Sequence, residues 1–422
     1  MRDLIYEFFT NNFFGITLPT WLVFFIWAAI LFTAISIVGQ AAVVFMVLME
    51  RKVLAWVTQR YGPNRVGPWG LLQPIADGLK FLMKEDVVPL HADRPLFVLA
   101  PALIFVVAFI GFAAIPWGGQ LSIGDRIVDI QVANPDIGLL YILGVGAMGV
   151  YGVVLGGWAS NNKYSFYGAI RATAQMLSYE IPMGLCILVV AMTMGTLRLE
   201  DITLQQTGYW AGWVPQWNVF LYPLAFIILF VTLLAESNRT PFDLAEAEQE
   251  LVGGYHTEYS ALKFGMFFLG EYAHMITGSA FIAVLFLGGW HFPWIPWTQP
   301  DATQWYAVLA KIGVLCTKIA ASLFIMMWIR WTIPRFRFDQ LMRLAWQRLI
   351  PVTLALFVLS AALVYVGRPR APGWALLGNG VILVVAFVYL SLSSGRVTGR
   401  QRNLPAVEPT RVPIGARLGA ST

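Results

Sequence analysis

Residues 95–116, PLFVLAPALIFVVAFIGFAAIP, carry no charged side chain and lie between Arg94 and Asp125. A lipid hydrocarbon core of roughly 30 Å is crossed by about 20 apolar residues in helical form. The segment meets both requirements and therefore predicts a membrane-spanning helix. Similar runs recur along the chain, and the nine predicted spans are 21–48, 95–116, 138–159, 167–195, 218–236, 263–289, 305–329, 349–367 and 373–393.

The composition of the 422 residues supports the same fold class. Hydrophobic residues make up 58% of the chain and charged residues only 12%, with a mean hydropathy of +0.68. Soluble domains are about 25% charged, so a soluble enzyme, a disordered chain and a nucleic-acid binder with a basic surface are excluded. We predict an all-α polytopic membrane protein with about nine transmembrane helices, in one helical domain over 1–395. A basic, disordered cytoplasmic tail is predicted over 396–422.

The Lys and Arg residues of the loops predict the orientation of the chain. Between the predicted spans, 21 of them fall on one side of the membrane and five on the other. Cytoplasmic loops carry the excess of Lys and Arg in membrane proteins. The N-terminus is therefore expected outside and the C-terminus in the cytoplasm, and the first apolar run is interpreted as a retained helix.

The first cytoplasmic loop contains a predicted amphipathic helix at about 69–86. Two Gly-Pro turns, at 62–63 and 67–68, precede it, and its apolar residues recur at helical spacing with Asp77, Lys80 and Lys84 on the other face. Such a helix is typical of a membrane surface. The loop is either a simple positive-inside anchor or a docking platform for a partner, and the defined turns favour the platform.

The fourth predicted span contains an acid, Glu180, close to Gln175, Ser178 and Pro182. Proline has no N–H, so Pro182 cannot bond the carbonyl of Ser178, and a polar defect is expected there. An ionisable residue inside a membrane span is costly and indicates function. Two interpretations remain open: proton uptake by Glu180, or an ion pair between Glu180 and Arg171.

The most distinctive segment is an acidic cytoplasmic loop at about 236–262 together with the helix after it. Seven of the chain's 23 acids lie there, namely Glu236, Asp243, Glu246, Glu248, Glu250, Glu258 and Glu271. Only Arg239 and Lys263 oppose them, and His274 follows Glu271 by three residues. Closely spaced carboxylates titrate as a coupled set, which indicates a proton relay or a charge-sensing cluster.

Basic residues in and after the seventh span suggest two further features. Snorkelling explains Lys311 if it lies near the outer end of the span, and Lys318 is a candidate charge partner for Glu180 or Glu271. The arginines that follow, Arg330, Arg335 and Arg337, are either lipid-headgroup anchors or the mouth of a cavity for a hydrophobic ligand with a polar head.

The sequence carries no pattern for a cofactor of its own. It has no phosphate-binding lysine loop and no dinucleotide fingerprint, and its four histidines and two cysteines are scattered. We therefore expect no metal or flavin in this chain and no nucleic-acid partner, with electron carriers held by partner subunits.

Five motifs in order resemble the H-type membrane subunit of bacterial NADH:quinone oxidoreductase (respiratory complex I), the counterpart of mitochondrial NADH dehydrogenase subunit 1. The resemblance runs from about residue 20 to 367. The motifs are E-R-K-x-L-A at 50–55, R-x-G-P-N-x-V-G-P-x-G-L-L-Q-P-x-A-D at 60–77 with K-E at 84–85, R-A-x-A-Q-x-x-S-Y-E at 171–180, A-E-x-N-R-T-P-F-D-L at 235–244 and P-R-x-R-x-D-Q-L-M at 334–342.

The resemblance implies a component of the bacterial inner membrane that joins the membrane arm to the peripheral arm and forms the membrane part of the quinone chamber. Its substrate would be ubiquinone or menaquinone. Its partners would be the peripheral iron-sulfur and quinone-site subunits, neighbouring small membrane subunits and lipid. The implied quinone-chamber residues are Glu50, Arg51, Arg60, Arg65, Arg330, Arg335 and Arg337. The acids implied to pass charge into the membrane arm are Asp77, Glu180, Glu236, Glu246, Glu248, Glu250, Glu258 and Glu271.

Two departures from the family pattern stand out. The family's E-G-E-S-E reads E-A-E-Q-E at 246–250, which keeps every acid but changes the flexibility and hydrogen bonding of the loop. The ninth helix and the basic tail exceed the eight-helix form of the family. Two alternatives remain at this point: the related membrane anchor of a hydrogenase or another dehydrogenase, and a stand-alone proton/cation antiporter.

Overall fold

The structure is a computed structural model that describes residues 20–123, 126–210, 212–245 and 248–401. Within them the chain is mainly helical. The helices are α1 Thr20–Val57, α2 Gln73–Met83, α3 Arg94–Ile110, α4 Gly138–Ala159, α5 Lys163–Met194, α6 Leu199–Gln205, α7 Asn218–Leu221, α8 Pro223–Glu236, α9 Glu248–Leu251, α10 Ala261–Phe286, α11 Trp305–Thr332, α12 Phe338–Arg343, α13 Ile350–Tyr365 and α14 Pro372–Gln401.

Short elements fill the connections. Two antiparallel hairpins lie in loops: β1 Gln120–Ile123 pairs with β2 Arg126–Asp129, and β3 Tyr209–Trp210 pairs with β4 Val214–Pro215. Single 3-10 turns occur at Pro68–Gly70, Gly111–Ala114, Gly254–His256 and Pro296–Thr298, and a π-helical turn, Leu344–Leu349, joins α12 to α13.

The predicted fold class is confirmed, since the protein is an all-α polytopic membrane protein. Of the described residues, seven helical segments are long and apolar enough to cross a membrane. They are Arg94–Ala114, Gly138–Ala159, Lys163–Met194, Ala261–Phe286, Trp305–Thr332, Phe338–Tyr365 and Pro372–Tyr389. The two other predicted spans are also helical: 21–48 lies within α1, and 218–236 is divided into α7 and the shorter apolar helix α8.

The bundle is organised around α5 and α10, whose side chains are the most enclosed of the spans. Helix α5 begins at the N-cap Asn162, whose side chain accepts a hydrogen bond of 2.9 Å from Tyr164 N, and it ends at Gly195 with a left-handed φ of 69°. These are the usual signals for helix ends. Helix α8 packs against this core, while α13 and α14 lie at the periphery.

Glycines of α4 let neighbouring helices approach closely. A Cβ built at Gly152 would lie 2.2 Å from Cγ1 of Ile104 in α3, and one at Gly157 would lie 2.3 Å from Cβ of Ala169 in α5. Neither position has room for a side chain. Small residues of this kind are typical of helix contacts in membranes.

The predicted amphipathic helix is present as α2. Its apolar residues Ile75, Leu79, Leu82 and Met83 are exposed, as a membrane-surface or docking helix requires. The interpretation of this face as a docking platform stays a prediction. The last helix extends to Gln401, and the rest of the predicted basic tail, 402–422, lies outside the described residues.

Both predictions for the lysines of α11 are wrong. Lys311 is fully buried and donates to Ala302 O at 2.8 Å, with Nζ 4.6 Å from the centre of the Trp290 ring. It does not snorkel, because the loop before α11 folds over it and offers a carbonyl.

Lys318 does not pair with Glu180 or Glu271. Its ammonium donates to the carbonyls of Leu287, Gly289 and His291 at 2.6, 2.8 and 2.6 Å. These carbonyls follow the end of α10, where the last turn of a helix leaves acceptors unpaired and favours a cation. Lys318 therefore binds the C-cap carbonyl of α10 and two carbonyls of the loop that follows.

Candidate functional site

One group of predicted residues meets where α1, α10 and α11 come together. Glu50, near the end of α1, is only 7% exposed. One of its carboxylate oxygens pairs with the guanidinium of Arg330 at the end of α11, and the other accepts a hydrogen bond from the Tyr272 hydroxyl of α10. We call Glu50, Arg330 and Tyr272 the entrance cluster. The charges of Glu50 and Arg330 balance, and the three side chains come from three different helices.

The neighbouring residue Arg51 turns towards α2. Its guanidinium lies 2.6 Å from Asp77 Oδ2, and Gln73 donates to the other oxygen of Asp77 at 3.1 Å. Lys52 reinforces the contact by donating to Trp69 O at 2.6 Å. These bonds hold the amphipathic helix beside the entrance cluster. They place Asp77, a predicted relay acid, among the predicted chamber residues.

Arg335 joins the segment after α11 to the loop after α8. It lies 2.5 Å from Asp243 Oδ2, and the backbone N of Phe336 donates to Pro241 O at 3.2 Å. Asp243 is 7% exposed and stands in the acidic run, but it was not among the predicted site residues. The motif A-E-x-N-R-T-P-F-D-L, which contains it, is the signal that could have found it.

Three other predicted chamber residues are not brought into this group. Arg60, Arg65 and Arg337 are exposed. Arg60 donates to Thr58 Oγ1 at 3.1 Å, a local contact within its own loop. Their side chains are accessible to a partner, but they do not contact the entrance cluster.

Deeper in the bundle, Glu271 of α10 forms a buried ion pair with Arg239. Their side chains are 8% and 4% exposed, and Arg239 Nη2 lies 3.1 Å from Glu271 Oε2. The Tyr255 hydroxyl donates to Glu271 Oε1 at 2.8 Å. A buried pair of charges is tolerated when further hydrogen bonds satisfy the groups, and Tyr255 supplies one.

A second acid-base pair lies next to the first. Glu236, the last residue of α8, is 3.2 Å from Nε2 of His274 in α10. We call Glu236, Arg239, Tyr255, Glu271 and His274 the carboxylate cluster. A cavity of about 40 Å³ lies between members of this cluster and the apolar and glycine residues of α3 and α4. A water needs roughly 10–15 Å³ of such volume and several polar partners, so this cavity has room and partners for a few waters.

Tyr272 connects the two clusters. Its hydroxyl is bonded to Glu50, and the guanidinium carbon of Arg239 lies 4.4 Å above the centre of its ring. A cation over an aromatic ring at this distance is attracted by it. The contacts therefore run without a break from Arg330 through Glu50, Tyr272 and Arg239 to Glu271. Neither Tyr272 nor Tyr255 was predicted from the sequence, where the adjacent Glu271-Tyr272 pair inside a span was the only signal for Tyr272.

Two of the remaining predicted relay acids, Glu250 and Glu258, have partners outside the carboxylate cluster. Arg171 pairs with Glu250 at 2.6 Å. The ion pair between Arg171 and Glu180, one of the two interpretations of Glu180, is therefore wrong. Glu258 accepts from Asn162 Nδ2 at 2.5 Å, and Glu180 is half-buried on α5. Glu246, and the side chain of Glu248, lie outside the described residues.

A larger cleft of about 490 Å³ lies outside both clusters. It is formed by the loop before α3 and the start of α5, with His91, Asp93, Trp158 and Lys163 among its lining residues. No group of three or more His, Cys, Asp or Glu suited to a metal ion is found in the described part of the chain.

Comparison with known proteins identifies the family. The family described as NADH dehydrogenase matches residues 19–361. The H-type subunit, numbered 1, of the NADH-quinone oxidoreductase of Cytophaga hutchinsonii is 46% identical over 335 residues, 79% of this chain and 95% of the relative. The H-type subunit of the Flavobacterium johnsoniae enzyme is 45% identical over 341 residues, 81% of this chain and 96% of the relative.

A third relative, the H-type subunit numbered 2 of Koribacter versatilis, is 46% identical over 336 residues, 76% of this chain and 92% of the relative. The family match ends at residue 361, so α14 lies beyond it. Both clusters lie inside it. The chain belongs to the NADH dehydrogenase family, which confirms the resemblance found in the sequence.

Proposed function

We propose that this chain is the H-type membrane-arm subunit of a proton-translocating NADH:quinone oxidoreductase in a bacterial inner membrane. Its relatives carry that name over nearly their whole length. The observation that carries the mechanism is the unbroken contact from Arg330 and Glu50 through Tyr272 to the Arg239–Glu271 pair. The hydrogenase-anchor and antiporter alternatives are not favoured by the relatives.

The entrance cluster is proposed as the membrane part of the quinone chamber. A quinone has an apolar tail and a head with two carbonyl oxygens that accept protons and electrons. Glu50, Arg51 and Arg330 offer charged hydrogen-bonding groups at the junction of three helices. Arg60, Arg65, Arg335 and Arg337 lie on the same basic loops, where we expect the peripheral iron-sulfur and quinone-site subunits to dock.

The carboxylate cluster is proposed as the start of a charge relay from that chamber. When the quinone is reduced, it takes up protons, and the charge around Glu50 changes. Tyr272 contacts both Glu50 and Arg239, so a shift of the Glu50–Arg330 pair alters the field at Glu271. Asp77, Glu180, Glu246, Glu248, Glu250 and Glu258 are proposed to extend the relay towards neighbouring small membrane subunits.

Amide substitutions test the relay. In the assembled complex in membrane vesicles, Glu236→Gln, Glu271→Gln and Glu180→Gln should each lower the number of protons moved per NADH oxidised. The reason is that an amide keeps the shape of the acid but cannot take up its proton. Glu85→Gln, at an exposed acid in the first loop, is the matched control. Wild-type proton-to-electron ratios in all three variants would refute the relay.

An arginine pair tests the chamber. Arg330→Met should raise the KM for quinone by about tenfold, the effect of losing one charge-assisted hydrogen bond. Arg343→Met removes an exposed arginine near α12 and should leave the KM unchanged. Equal KM values in both variants would show that Arg330 does not face the quinone.

A further inference from the structure

His274 occupies the innermost position of the carboxylate cluster along α10. It lies three residues beyond Glu271, so the two side chains share one face of the helix. With a rise of about 1.5 Å per residue, His274 is roughly 20 Å from the first residue of α10, Ala261. Glu271 already has two partners in Arg239 and Tyr255. Glu236 is the acid that faces His274.

The space around His274 is shaped by glycines of α4. A Cβ at Gly146 would lie 3.2 Å from Glu236 Oε1 and 3.8 Å from Cε1 of His274, whereas a Cβ at Gly149 would meet nothing within 4 Å. Both glycines line the 40 Å³ cavity with His274, whose side chain is 25% accessible. A larger residue at 146 would come between the acid and the imidazole, and the gap at 149 leaves room for water or ring movement.

The charged and titratable groups that face this position come from three elements. Glu236 lies at the end of α8, Glu271 on α10 itself, and Glu180 on α5 interacts electrostatically with Glu236. Arg239 neutralises Glu271, and Tyr255 adds a phenol. The lining residues from α3 and α4 are apolar or glycine. His274 therefore faces acidic side chains, and one of them, Glu271, is already paired with Arg239.

Imidazole has properties that the acids of the cluster lack. Its ordinary pKa lies near neutrality, so it can gain and lose a proton under working conditions. Its two nitrogens allow it to accept a proton on one side and release one on the other. Nε2 lies 3.2 Å from a Glu236 oxygen, which is near the distance at which a proton passes between two groups.

We infer that His274 is a proton-relay residue that takes the proton from Glu236 and passes it on through the cavity. This inference rests on the proposed function. In the step, the O–H bond of the Glu236 carboxyl group breaks and an N–H bond forms at Nε2, which leaves a carboxylate and an imidazolium. The imidazolium then loses the proton on Nδ1 to water in the cavity. Rotation or tautomer exchange of the neutral ring restores the starting state.

Two variants at position 274 test the inference in the assembled complex in membrane vesicles. His274→Gln keeps a hydrogen-bonding side chain but cannot be protonated. We expect its proton translocation per NADH oxidised to fall below that of the wild type, because the proton of Glu236 has lost its acceptor, and the pH profile to lose one ionisation. His274→Ala should be impaired likewise and should recover when imidazole is added, an outcome that a purely structural role would not give. His91→Gln, on an exposed loop, is the control.

Comparison with Glu236→Gln separates this inference from the proposed function. If His274→Gln pumps with the wild-type ratio and pH profile while Glu236→Gln is impaired, the inference fails and the relay stands. If Glu236→Gln, Glu271→Gln and Glu180→Gln also pump normally, the proposed function fails with it. If His274→Gln does not assemble, the imidazole response of His274→Ala decides, and no recovery counts against the inference.

Discussion

Helix α10 buries charge in opposite ways at its middle and just beyond its end. In the middle, Glu271 and His274 face other ionisable groups, Arg239 and Glu236, around a small cavity. Beyond the end, Lys318 is held by three backbone carbonyls without a carboxylate. Carbonyls do not take up protons, so they offer Lys318 no acid-base partner. The acidic middle can redistribute protons among groups that share them. The lysine contacts therefore serve stability, whereas the middle of α10 is where we propose proton chemistry.

The largest effect is expected from removing the cation of the acidic middle. Arg239→Met leaves Glu271 buried without its counter-charge, and breaking such a pair costs about 3–5 kcal/mol. The loss is measured by heating the purified complex and recording how much of this subunit stays bound to it. Adding Glu271→Gln should restore part of the stability but not proton translocation. If Arg239→Met alone were as stable as the wild type, the Arg239–Glu271 pair would not be buried.

Substitution of Lys318, at what we call the lysine end of α10, should cause a somewhat smaller loss of stability and no specific loss of proton translocation. Lys318→Met leaves three carbonyls without a donor, and at about 1 kcal/mol for each, the lower end of the usual cost of an unsatisfied group, the expected loss is about 3 kcal/mol. The measurement is again thermal unfolding, with Lys84→Met on an exposed residue as the control. A changed proton-to-electron ratio in the folded fraction would contradict the division between the two regions.

His291, in the loop after α10, makes the stability of the lysine end depend on pH. Burial, and then the charge of Lys318, lower the pKa of His291 from 6.5 to about 4. The folded state keeps this imidazole neutral, whereas the unfolded chain binds a proton below about pH 6.5. The contribution is therefore fully present above pH 6.5 and is lost as the pH falls towards 4.

At pH 5 the expected loss from His291 is about 2 kcal/mol. Unfolding of wild type and His291→Gln compared between pH 7.5 and pH 5 isolates this contribution, because the variant cannot titrate. The wild type should lose more stability than the variant on acidification. An equal loss in both would show that His291 is not the group responsible.

The smallest effect is expected at the surface beside the entrance cluster. The Arg51 side chain is 47% exposed, so its pair with Asp77 is open to solvent, and exposed pairs contribute less than about 1 kcal/mol. Asp77→Asn should thus leave the thermal midpoint nearly unchanged. A lower proton-to-electron ratio without a change in stability would support its proposed role in the relay, and a large loss of stability would show that α2 depends on this pair.

The positions of the spans could be predicted because they follow from hydrophobicity alone. The predicted span 138–159 coincides with α4, Gly138–Ala159. The predicted span at 218–236 is divided instead, because Tyr222 precedes Pro223 and takes a non-helical conformation with ψ of 66°, as residues before proline tend to do.

The partners inside the site could be predicted only in part. The acids of 236–271 were recognised as one set. Glu250, however, pairs with Arg171, and Glu258 accepts a hydrogen bond from Asn162, so neither is a partner of Glu271. Which acid meets which base depends on how three helices pack, and charge spacing does not encode that. The partners of Lys318 were missed for another reason. Every residue has a carbonyl, so a carbonyl partner leaves no mark in the sequence.

The contacts of α14 have a consequence for how the protein is made. Arg370, just before the helix, donates to Gln205 O at 3.4 Å, and Asn379 within it donates to Leu221 O at 3.1 Å. The ribosome synthesises the acceptor residues Gln205 and Leu221 long before the donor residues Arg370 and Asn379. Leu221 O therefore cannot accept this hydrogen bond until α14 has been synthesised. The contacts that attach α14 to the bundle are therefore among the last that the chain can form during synthesis.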